Sequence, residues 1–263
     1  MENVIVVTSG KGGVGKTTTV ANIGAGLALE GKKVTLIDTD IGLRNLDVIL
    51  GLENRIVFDL VDVVEGTCRL QQALIKDKRY PGLFLLPAAQ TRDKMAVTPA
   101  QMREVVAELE KEMDYVIIDC PAGIEQGFKN AVAGAKSAII VTVPEVSSVR
   151  DADRIIGLLN SMGIEDSVLI INRLRADLVK KGDMLAIDDT LDILGIDLIG
   201  VVPEDEHILR ASNIGEPALT DKKSMAGQAF KNISKRVLGE DIEYLNLKGN
   251  GVLGKLSRIF QGK

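Results

Sequence analysis

The amino-acid sequence predicts an α/β fold, a single domain in which helices cover both faces of a mostly parallel, twisted sheet. Short runs rich in Val and Ile alternate with longer stretches of helical periodicity, which is typical of βαβ units with right-handed crossovers. Hydrophobic residues make up 46% of the 263 residues but aromatic residues only 3%, so the predicted core is aliphatic. Such a core suits parallel strands that helices bury on both sides.

Strand and helix candidates alternate along most of the chain, and Gly, Pro or Asp bounds most of the strands. We predict strands at residues 4–8, 34–38, 83–87, 115–119, 137–143, 168–172 and 198–203. We predict helices at residues 16–30, 99–113, 126–135, 148–162, 188–194 and 224–238. No internal repeat appears, and no change in composition indicates a domain boundary before about Gly239.

The segment SGKGGVGKTT, residues 9–18, follows the first strand and opens the first helix. Its Gly10, Gly15, Lys16 and Thr17 match the phosphate-loop pattern G-x-x-x-x-G-K-[ST]. Glycines let backbone N–H groups approach phosphate oxygens, and the helix N-terminus adds its positive end. Lys16 would reach the β- and γ-phosphates, and the Thr17 hydroxyl would bind Mg²⁺. The loop's candidate nucleotide-binding residues are Gly12, Gly13, Val14, Gly15, Lys16, Thr17 and Thr18.

Acidic side chains end two further apolar strands. YVIID ends at Asp119, where a carboxylate for the Mg²⁺ site is expected, and VTLID ends at Asp38, two residues before Asp40. Ligands bind at the carboxyl ends of strands in an open α/β sheet, so one of Asp38 and Asp40 can lie near the metal while the other orients the attacking water. Turn formation or helix capping is the alternative for these acids. The candidate metal-site residues are Thr17, Asp38 and Asp119.

The residues after the late strand LIIN indicate which base is bound. Guanine recognition would favour N-K-x-D, whereas Asn172 is followed here by Arg-Leu-Arg, with no Asp at the fourth place. An Asn amide can pair with the donor and acceptor edge of adenine. The predicted cofactors are therefore ATP or ADP together with Mg²⁺.

Several segments together resemble the MinD/ParA class of ATPases. GKGGVGKT, residues 10–17, is similar to the deviant Walker A loop of that class. Further similar segments are DTDIGLRNLD, ALIKDKR, LPAAQTRDK, DCPAGIE, PEVSSVRDADR and VPEDEHILRASNIGEP. The resemblance is to the septum-determining branch and runs from residue 4 into the tail, although residues 240–250 carry no aligned motif. It implies a P-loop NTPase fold and a Mg²⁺-dependent, dimer-dependent ATPase that places the cell-division septum.

The resemblance also assigns catalytic roles. In this class the first lysine of the loop, here Lys11, reaches across an ATP-bound homodimer to the phosphates of the partner's nucleotide. Without the resemblance, Lys11 would be a surface lysine. Lys16 acts in cis, Asp40 positions the attacking water, and Asp38 lies near the metal.

The same resemblance implies the base pocket and the protein partners. Asn172, Pro203 and Asp205 carry over as the adenine pocket. A MinC-type division inhibitor, and in some bacteria a MinE-type activator, are implied to bind the ATP dimer. We expect residues 145–153 to contribute to that partner surface.

The last residues, VLGKLSRIFQGK, form an amphipathic pattern with apolar residues on one helical face and no acid from residue 248 on. A helix of this kind lies in the interface of an anionic membrane, and the resemblance implies the same. A helix docked on the domain's own core is the alternative. The predicted organisation is an ATPase domain at 1–239, a linker at 240–250 and an amphipathic membrane-targeting helix at 251–263. The candidate membrane-binding residues are Val252, Leu253, Leu256, Ile259 and Phe260.

Charge and cysteine usage argue against two other classes. A ParA-like DNA-partitioning ATPase is the alternative function, but the net charge of −5 gives no reason to expect nucleic-acid binding. An iron–sulfur carrier would need suitably placed cysteines at a dimer axis, and Cys68 and Cys120 lie in unrelated contexts. No signal-peptide pattern or long apolar run is visible, so we expect a cytoplasmic protein that is peripheral on the inner face of the cell membrane.

Overall fold

A computed structural model of the protein describes residues 1–93 and 96–246. It confirms a single α/β domain with an eight-stranded sheet in the order β3-β4-β2-β5-β1-β6-β7-β8. The strands are β1 (Val4–Thr8), β2 (Val34–Asp38), β3 (Ile75–Lys76), β4 (Leu83–Leu86), β5 (Tyr115–Asp119), β6 (Ser137–Thr142), β7 (Ser167–Leu174) and β8 (Asp197–Pro203). All neighbouring strands pair in parallel except β3 and β4, which form an antiparallel edge.

The helices connect these strands and cover both faces of the sheet. They are α1 (Lys16–Leu29), α2 (Leu46–Ile49), α3 (Leu60–Val64), α4 (Leu70–Ala73), α5 (Pro99–Leu109), α6 (Gln126–Val132), α7 (Val146–Ser161), α8 (Ala176–Lys181), α9 (Ile187–Leu194), α10 (Glu206–Asn213) and α11 (Met225–Val237). Two short 3₁₀ helices lie at Glu53–Arg55 and Ala218–Thr220. None of the helices in the described ranges is both long and apolar enough to cross a membrane.

The sheet separates two aliphatic cores, and β1 shows how its sequence divides between them. Val4 and Val6 face the core under α5, α6 and α7, whereas Ile5 and Val7 face the core under α1 and α11. This alternation follows from the two-residue period of a strand. Because both faces are buried, β1 is a continuous apolar run and not an alternating one.

The strand order brings the predicted functional segments to one edge of the sheet. β1 lies between β5 and β6, and β2 pairs with β5 so that Asp38 is directly opposite Asp119. The loop after β1 therefore leaves the sheet at the point where the strand order reverses direction. Ligands bind at such a switch point in open α/β sheets.

The predictions missed the short elements and several ends. Helices α2, α3, α4, α8 and α10 and strand β3 were not predicted. All have eight residues or fewer and so hold little periodicity, although the similarly short α6 and α9 were predicted. Helix α7 begins at Val146, earlier than the predicted residue 148, and α5 ends at Leu109, earlier than 113. Tertiary packing, which the sequence pattern does not report, sets these ends.

Residues 240–246 are packed against the domain by contacts to α11 and β8. The Tyr244 hydroxyl donates a hydrogen bond to the Leu198 carbonyl at 2.6 Å, and the Arg236 guanidinium lies 4.1 Å from the centre of the Tyr244 ring. Arg236 also donates to the carbonyls of Ile242 and Ile199 at 2.8–3.0 Å. The predicted tail helix and its five apolar residues lie outside the described residues.

Replacing Tyr244 with Phe should lower the free energy of unfolding by about 1 kcal/mol, because one hydrogen bond to a backbone carbonyl is lost while the ring packing is retained. Urea denaturation measures the change. Tyr115→Phe is the matched control, since the hydroxyl of Tyr115 has no hydrogen bond to any described residue, and it should change stability by less than about 0.5 kcal/mol. Equal unfolding midpoints for the two variants would contradict the packing of this segment.

Candidate functional site

The phosphate loop, residues 9–15, joins β1 to α1 and uses glycine where the backbone requires it. Gly13 and Gly15 have φ angles of 77° and 98°, which side chains rarely tolerate. Gly15 also lies against Asn172, so a β-carbon on Gly15 would collide with the Asn172 amide. That amide donates a hydrogen bond to the Val14 carbonyl at 2.7 Å, which ties the loop to β7.

The two lysines of the loop occupy different environments. Lys16 opens α1 and is buried, with 8% of its surface exposed. Lys11 points to the surface at the start of α7, where its ammonium lies 3.3 Å from the Ser147 hydroxyl and 3.8 Å from the Glu145 carboxylate. Gly10 fits against Asp151 of α7 too closely for a side chain, so the loop is wedged against this helix. Of the two lysines, Lys16 is therefore the buried one.

The carboxylates of Asp38 and Asp119 are buried on neighbouring strand ends. Asp38 accepts backbone N–H bonds from Asp40 at 2.9 Å and Leu46 at 3.2 Å. Burial is the main cause that raises the pKa of Asp38 to about 6, and the nearby acids add to it. Asp38 therefore holds the following loop in place as well as lying beside the site.

Asp119 carries the feature that best fits a bound metal and phosphate. Its Oδ1 atom is buried without a hydrogen-bond partner among the described residues. Burial and then Asp38 raise its pKa well above the usual range, while Thr17 and Lys16 lie close enough to oppose that rise. A carboxylate, a hydroxyl and an ammonium thus converge below the loop. The donor set fits Mg²⁺, which prefers few protein ligands and shares its shell with phosphates and waters.

No group of three or more His, Cys, Asp or Glu side chains in residues 1–93 and 96–246 is arranged to hold a metal ion. Thr17 and Asp119 are the residues placed to hold Mg²⁺ directly. The carboxylate oxygens of Asp38 accept backbone N–H bonds, so Asp38 would lie near the metal without binding it directly.

Asp40 begins a tightly folded loop that leads to α2. Its carbonyl accepts bonds from the N–H groups of Leu43 and Arg44, both at 3.1 Å. Arg44 adopts a left-handed φ of 44° and pairs with the buried Asp47 at 2.8 Å. Sequence reasoning did not single out this Arg44–Asp47 pair, although both lie inside the segment DTDIGLRNLD. The pair closes the loop on which Asp40 is carried.

The three candidates for the base pocket lie at the same edge of the sheet as the phosphate loop, and each also makes contacts that stabilise the fold. Asn172 holds Val14 through its amide, and its own Oδ1 accepts the Arg173 N–H at 2.9 Å. Pro203 ends β8 and pairs with Leu174 at the end of β7. Their contact with a base stays a prediction.

Asp205 caps α10 and connects it to α11. Its carboxylate accepts bonds from His207 N at 2.9 Å, Ser224 Oγ at 2.8 Å and Ala226 N at 3.0 Å. Partial burial alone would raise its pKa, but these hydrogen bonds outweigh that effect and the pKa is lowered. This capping role is what turns the chain after β8 and positions residues 203–205.

Cys120 follows Asp119 inside the core, where burial raises the pKa of its thiol to about 12. Only 1% of the Cys120 surface is exposed, whereas a cluster at a dimer axis needs thiols that are available at the protein surface. The position of Cys120 therefore argues against an iron–sulfur carrier.

Comparison with known proteins agrees with this geometry. A family model described as the CobQ/CobB/MinD/ParA nucleotide binding domain matches residues 5–218. The septum site-determining protein MinD of Bacillus subtilis is 57% identical over 264 residues, covering 99% of this chain and 98% of that protein. The chain belongs to the MinD family of nucleotide-binding proteins.

Two solved structures of MinD proteins extend this finding. The MinC:MinD cell division protein complex of Aquifex aeolicus contains a chain with 50% identity and a TM-score of 0.85, covering 92% of this chain and 98% of that one. The Pyrococcus horikoshii MinD complexed with Mg-ADP has 30% identity and a TM-score of 0.82, covering 90% and 96%. The MinD fold thus accounts for nearly all of the described domain.

The raised pKa of Asp38 predicts how stability depends on pH when nucleotide and metal are absent. The folded protein holds this proton more tightly than the unfolded chain does, so its contribution to stability is full below pH 3.8 and is lost as the pH rises through about 6. Between pH 4 and pH 7, the wild type should lose on the order of 2 kcal/mol more than Asp38→Asn.

Urea denaturation at a series of pH values tests this prediction. Asp192→Asn, an exposed change on α9, is the control and should follow the wild-type slope. Parallel pH curves for wild type and Asp38→Asn would show that Asp38 titrates normally.

Proposed function

We propose that this protein is a Mg²⁺-dependent ATPase of septum placement that dimerises with ATP. In the proposal, the dimer attaches to the inner face of the cytoplasmic membrane and recruits a MinC-type division inhibitor. The observation that carries the ATPase part is the buried, unpartnered Oδ1 atom of Asp119 beside Thr17 and Lys16, directly under a phosphate loop. A metal–phosphate group supplies the charge and the ligands that this arrangement requires.

The chain's own residues divide the work of hydrolysis. Backbone N–H groups of residues 12–17 surround the phosphates, and Lys16 neutralises charge on the transferring group. Bound Mg²⁺ would polarise the phosphate oxygens. Asp40, at the start of the loop closed by the Arg44–Asp47 pair, would orient the water. Binding to Asn172, Pro203 and Asp205 would place adenine at the ends of β7 and β8.

The surface position of Lys11 supports a role in trans. Its side chain is 46% exposed, and its contacts with Glu145 and Ser147 are at the surface. An exposed ion pair of this kind contributes about 0–1 kcal/mol, so leaving it costs little. In an ATP dimer, Lys11 would instead contact the partner's phosphates. Hydrolysis would then require two copies.

The start of α7 is the proposed surface for a protein partner. Glu145, Val146, Ser147, Arg150 and Asp153 are exposed there, next to Lys11. The Aquifex aeolicus complex is one of MinC with MinD, which supports a MinC-type partner for this chain. A MinE-type activator remains a further proposal. A partner bound at this helix would lie next to Lys11, so its binding could depend on whether the ATP dimer has formed.

The amphipathic residues 251–263 supply the proposed membrane contact. A single short anchor binds a membrane weakly, and two anchors on one dimer add avidity of roughly 10²–10⁴. ATP-driven dimerisation would therefore control attachment without any change in the tail itself. Membrane attachment by the tail would then depend on the ATP dimer that Lys11 helps to form.

Lys16→Ala tests the nucleotide site. The variant removes the buried ammonium that neutralises phosphate, so ATP should no longer produce a dimer on a sizing column, and equilibrium binding of ATP should weaken by at least about tenfold. Lys231→Ala, an exposed change on α11, should dimerise like the wild type. Normal ATP-dependent dimerisation of Lys16→Ala would refute the site.

Lys11→Ala and Phe260→Glu should fail at different steps of membrane attachment. Lys11→Ala should bind ATP but stay monomeric, and Phe260→Glu should dimerise but stay in solution, because a charge on the apolar face is costly to insert. Sedimentation with anionic liposomes in ADP and ATP measures both, with an expected loss of roughly 10²-fold or more in attachment. A fused dimerising coiled coil should restore attachment to Lys11→Ala alone. ATP-dependent attachment of Lys11→Ala without the fusion would contradict the proposed dependence of membrane attachment on Lys11.

A further inference from the structure

The segment ALIKDKR contains an arginine that the proposed mechanism does not use. Arg79 follows β3 in the turn of the edge hairpin, and its guanidinium forms a fork with Asp77, whose side chain is 1% exposed. The fork joins Arg79 Nη2 to Asp77 Oδ2 at 2.8 Å and Nε to Oδ1 at 3.2 Å. The backbone N–H of Arg79 also donates to Asp77 Oδ1 at 2.7 Å. Asp77 thus fixes the orientation in which the guanidinium contacts other segments.

The same guanidinium binds two helix ends that are far apart in sequence. Its Nη1 donates to the carbonyl of Gly215 at 2.7 Å, just after α10, and its Nη2 donates to the carbonyl of Leu50, just after α2. A cation at the carbonyl end of a helix is favourable because those carbonyls lack partners within the helix. Arg79 serves two such ends at once.

The two helix ends lie in direct contact beneath this arginine. Gly51 and Gly215 both have positive φ angles, 59° and 67°. A β-carbon on Gly215 would lie 2.6 Å from Gly51 Cα, and one on Gly51 would lie 3.0 Å from the Gly215 carbonyl oxygen. The chain therefore uses glycine on both sides, so that α2 and α10 can end against each other.

The opposite ends of these two helices lead to the nucleotide site. The first N–H of α2, at Leu46, donates to the Asp38 carboxylate at 3.2 Å. Helix α10 begins at Glu206, immediately after its cap Asp205. One helix thus starts at the acidic loop that carries Asp40, and the other at the loop assigned to the base.

We propose that Arg79 is a positioning residue of the nucleotide site. By holding the ends of α2 and α10 together, it sets the separation between the loop of Asp38 and Asp40 and the loop of Pro203 and Asp205. The proposal rests on the base pocket assigned under the proposed function, but it does not involve dimerisation or the membrane. A lysine cannot replace the fork, because its single ammonium cannot bridge one carboxylate and two carbonyls in a plane.

Equilibrium binding of a fluorescent, non-hydrolysable ATP analogue to the full-length protein tests the proposal. Arg79→Lys keeps the charge and should weaken binding by about tenfold, the effect expected for charge-assisted hydrogen bonds. Arg55→Lys is the matched control, since Arg55 donates to the Lys76 carbonyl on the same hairpin at 2.7 Å but does not reach α10. Its affinity should stay within about twofold of wild type, as for a surface contact.

Amide hydrogen exchange without nucleotide provides a second readout. In Arg79→Lys, exchange should rise together in residues 46–52 and 206–216, because the Leu50 and Gly215 carbonyls in these segments both accept hydrogen bonds from Arg79. A rise confined to the hairpin, residues 75–86, or an unchanged affinity with only a lower unfolding midpoint, would reduce Arg79 to a stabilising residue and overturn the proposal.

Gly215→Ala separates the same helix ends without changing Arg79. The added methyl must push against Gly51, so this variant should show the same loss of analogue affinity and the same paired rise in exchange. Unchanged affinity would contradict the proposed spacing role. Failure of the wild type itself to bind the analogue would refute the proposed nucleotide site, whereas the exchange pattern would still decide whether Arg79 couples the two helices.

Discussion

Two acids, Asp38 and Asp119, lie buried on neighbouring strands close to one buried ammonium, Lys16, and the surrounding elements are arranged to hold them there. Burying charge is costly unless it is paired, and burial raises the pKa of both acids, although Thr17 and Lys16 oppose that rise at Asp119. The parallel pairing of β2 with β5 imposes this proximity, because it places both residues at the same level of the sheet. Bound Mg²⁺ would favour the ionised form of Asp119, and a ligand that binds only the folded protein stabilises it by about 2.7 kcal/mol at a hundred times its Kd.

The phosphate loop gains its shape from elements outside the loop. Asn172 of β7 holds the Val14 carbonyl, and the contact between Gly10 and Asp151 presses the loop onto α7. Lys11 also ends on the first residues of α7. Any movement of α7 would therefore shift both the phosphate loop and Lys11. If a partner binds at α7, as proposed, these contacts connect it to the phosphate loop.

Further from the phosphate loop, contacts at helix ends hold the loop of Asp38 and Asp40 and the loop of Pro203 and Asp205 in fixed positions. Asp205 ties α10 to α11 with three accepted hydrogen bonds, and Arg79 ties the far end of α10 to α2. The segment 240–246 is fixed to β8 and α11 through Tyr244 and Arg236. Apart from the Ser224 hydroxyl bond to Asp205, these hydrogen bonds satisfy backbone groups.

The sequence by itself determined the fold class, the phosphate loop and the strand-end acids, because each depends on neighbouring residues. A strand, a glycine-rich turn and a helix start follow one another within residues 4–18, and an apolar run that ends in an acid is equally local. Only the tertiary structure decided the partners of Asn172, Asp205 and Arg79. Asn172 binds a carbonyl 158 positions away and Arg79 one that is 136 positions away. Such contacts arise from the order of strands in the sheet, which is set by packing of the whole core. The sequence pattern around Asn172 or Arg79 therefore does not indicate them.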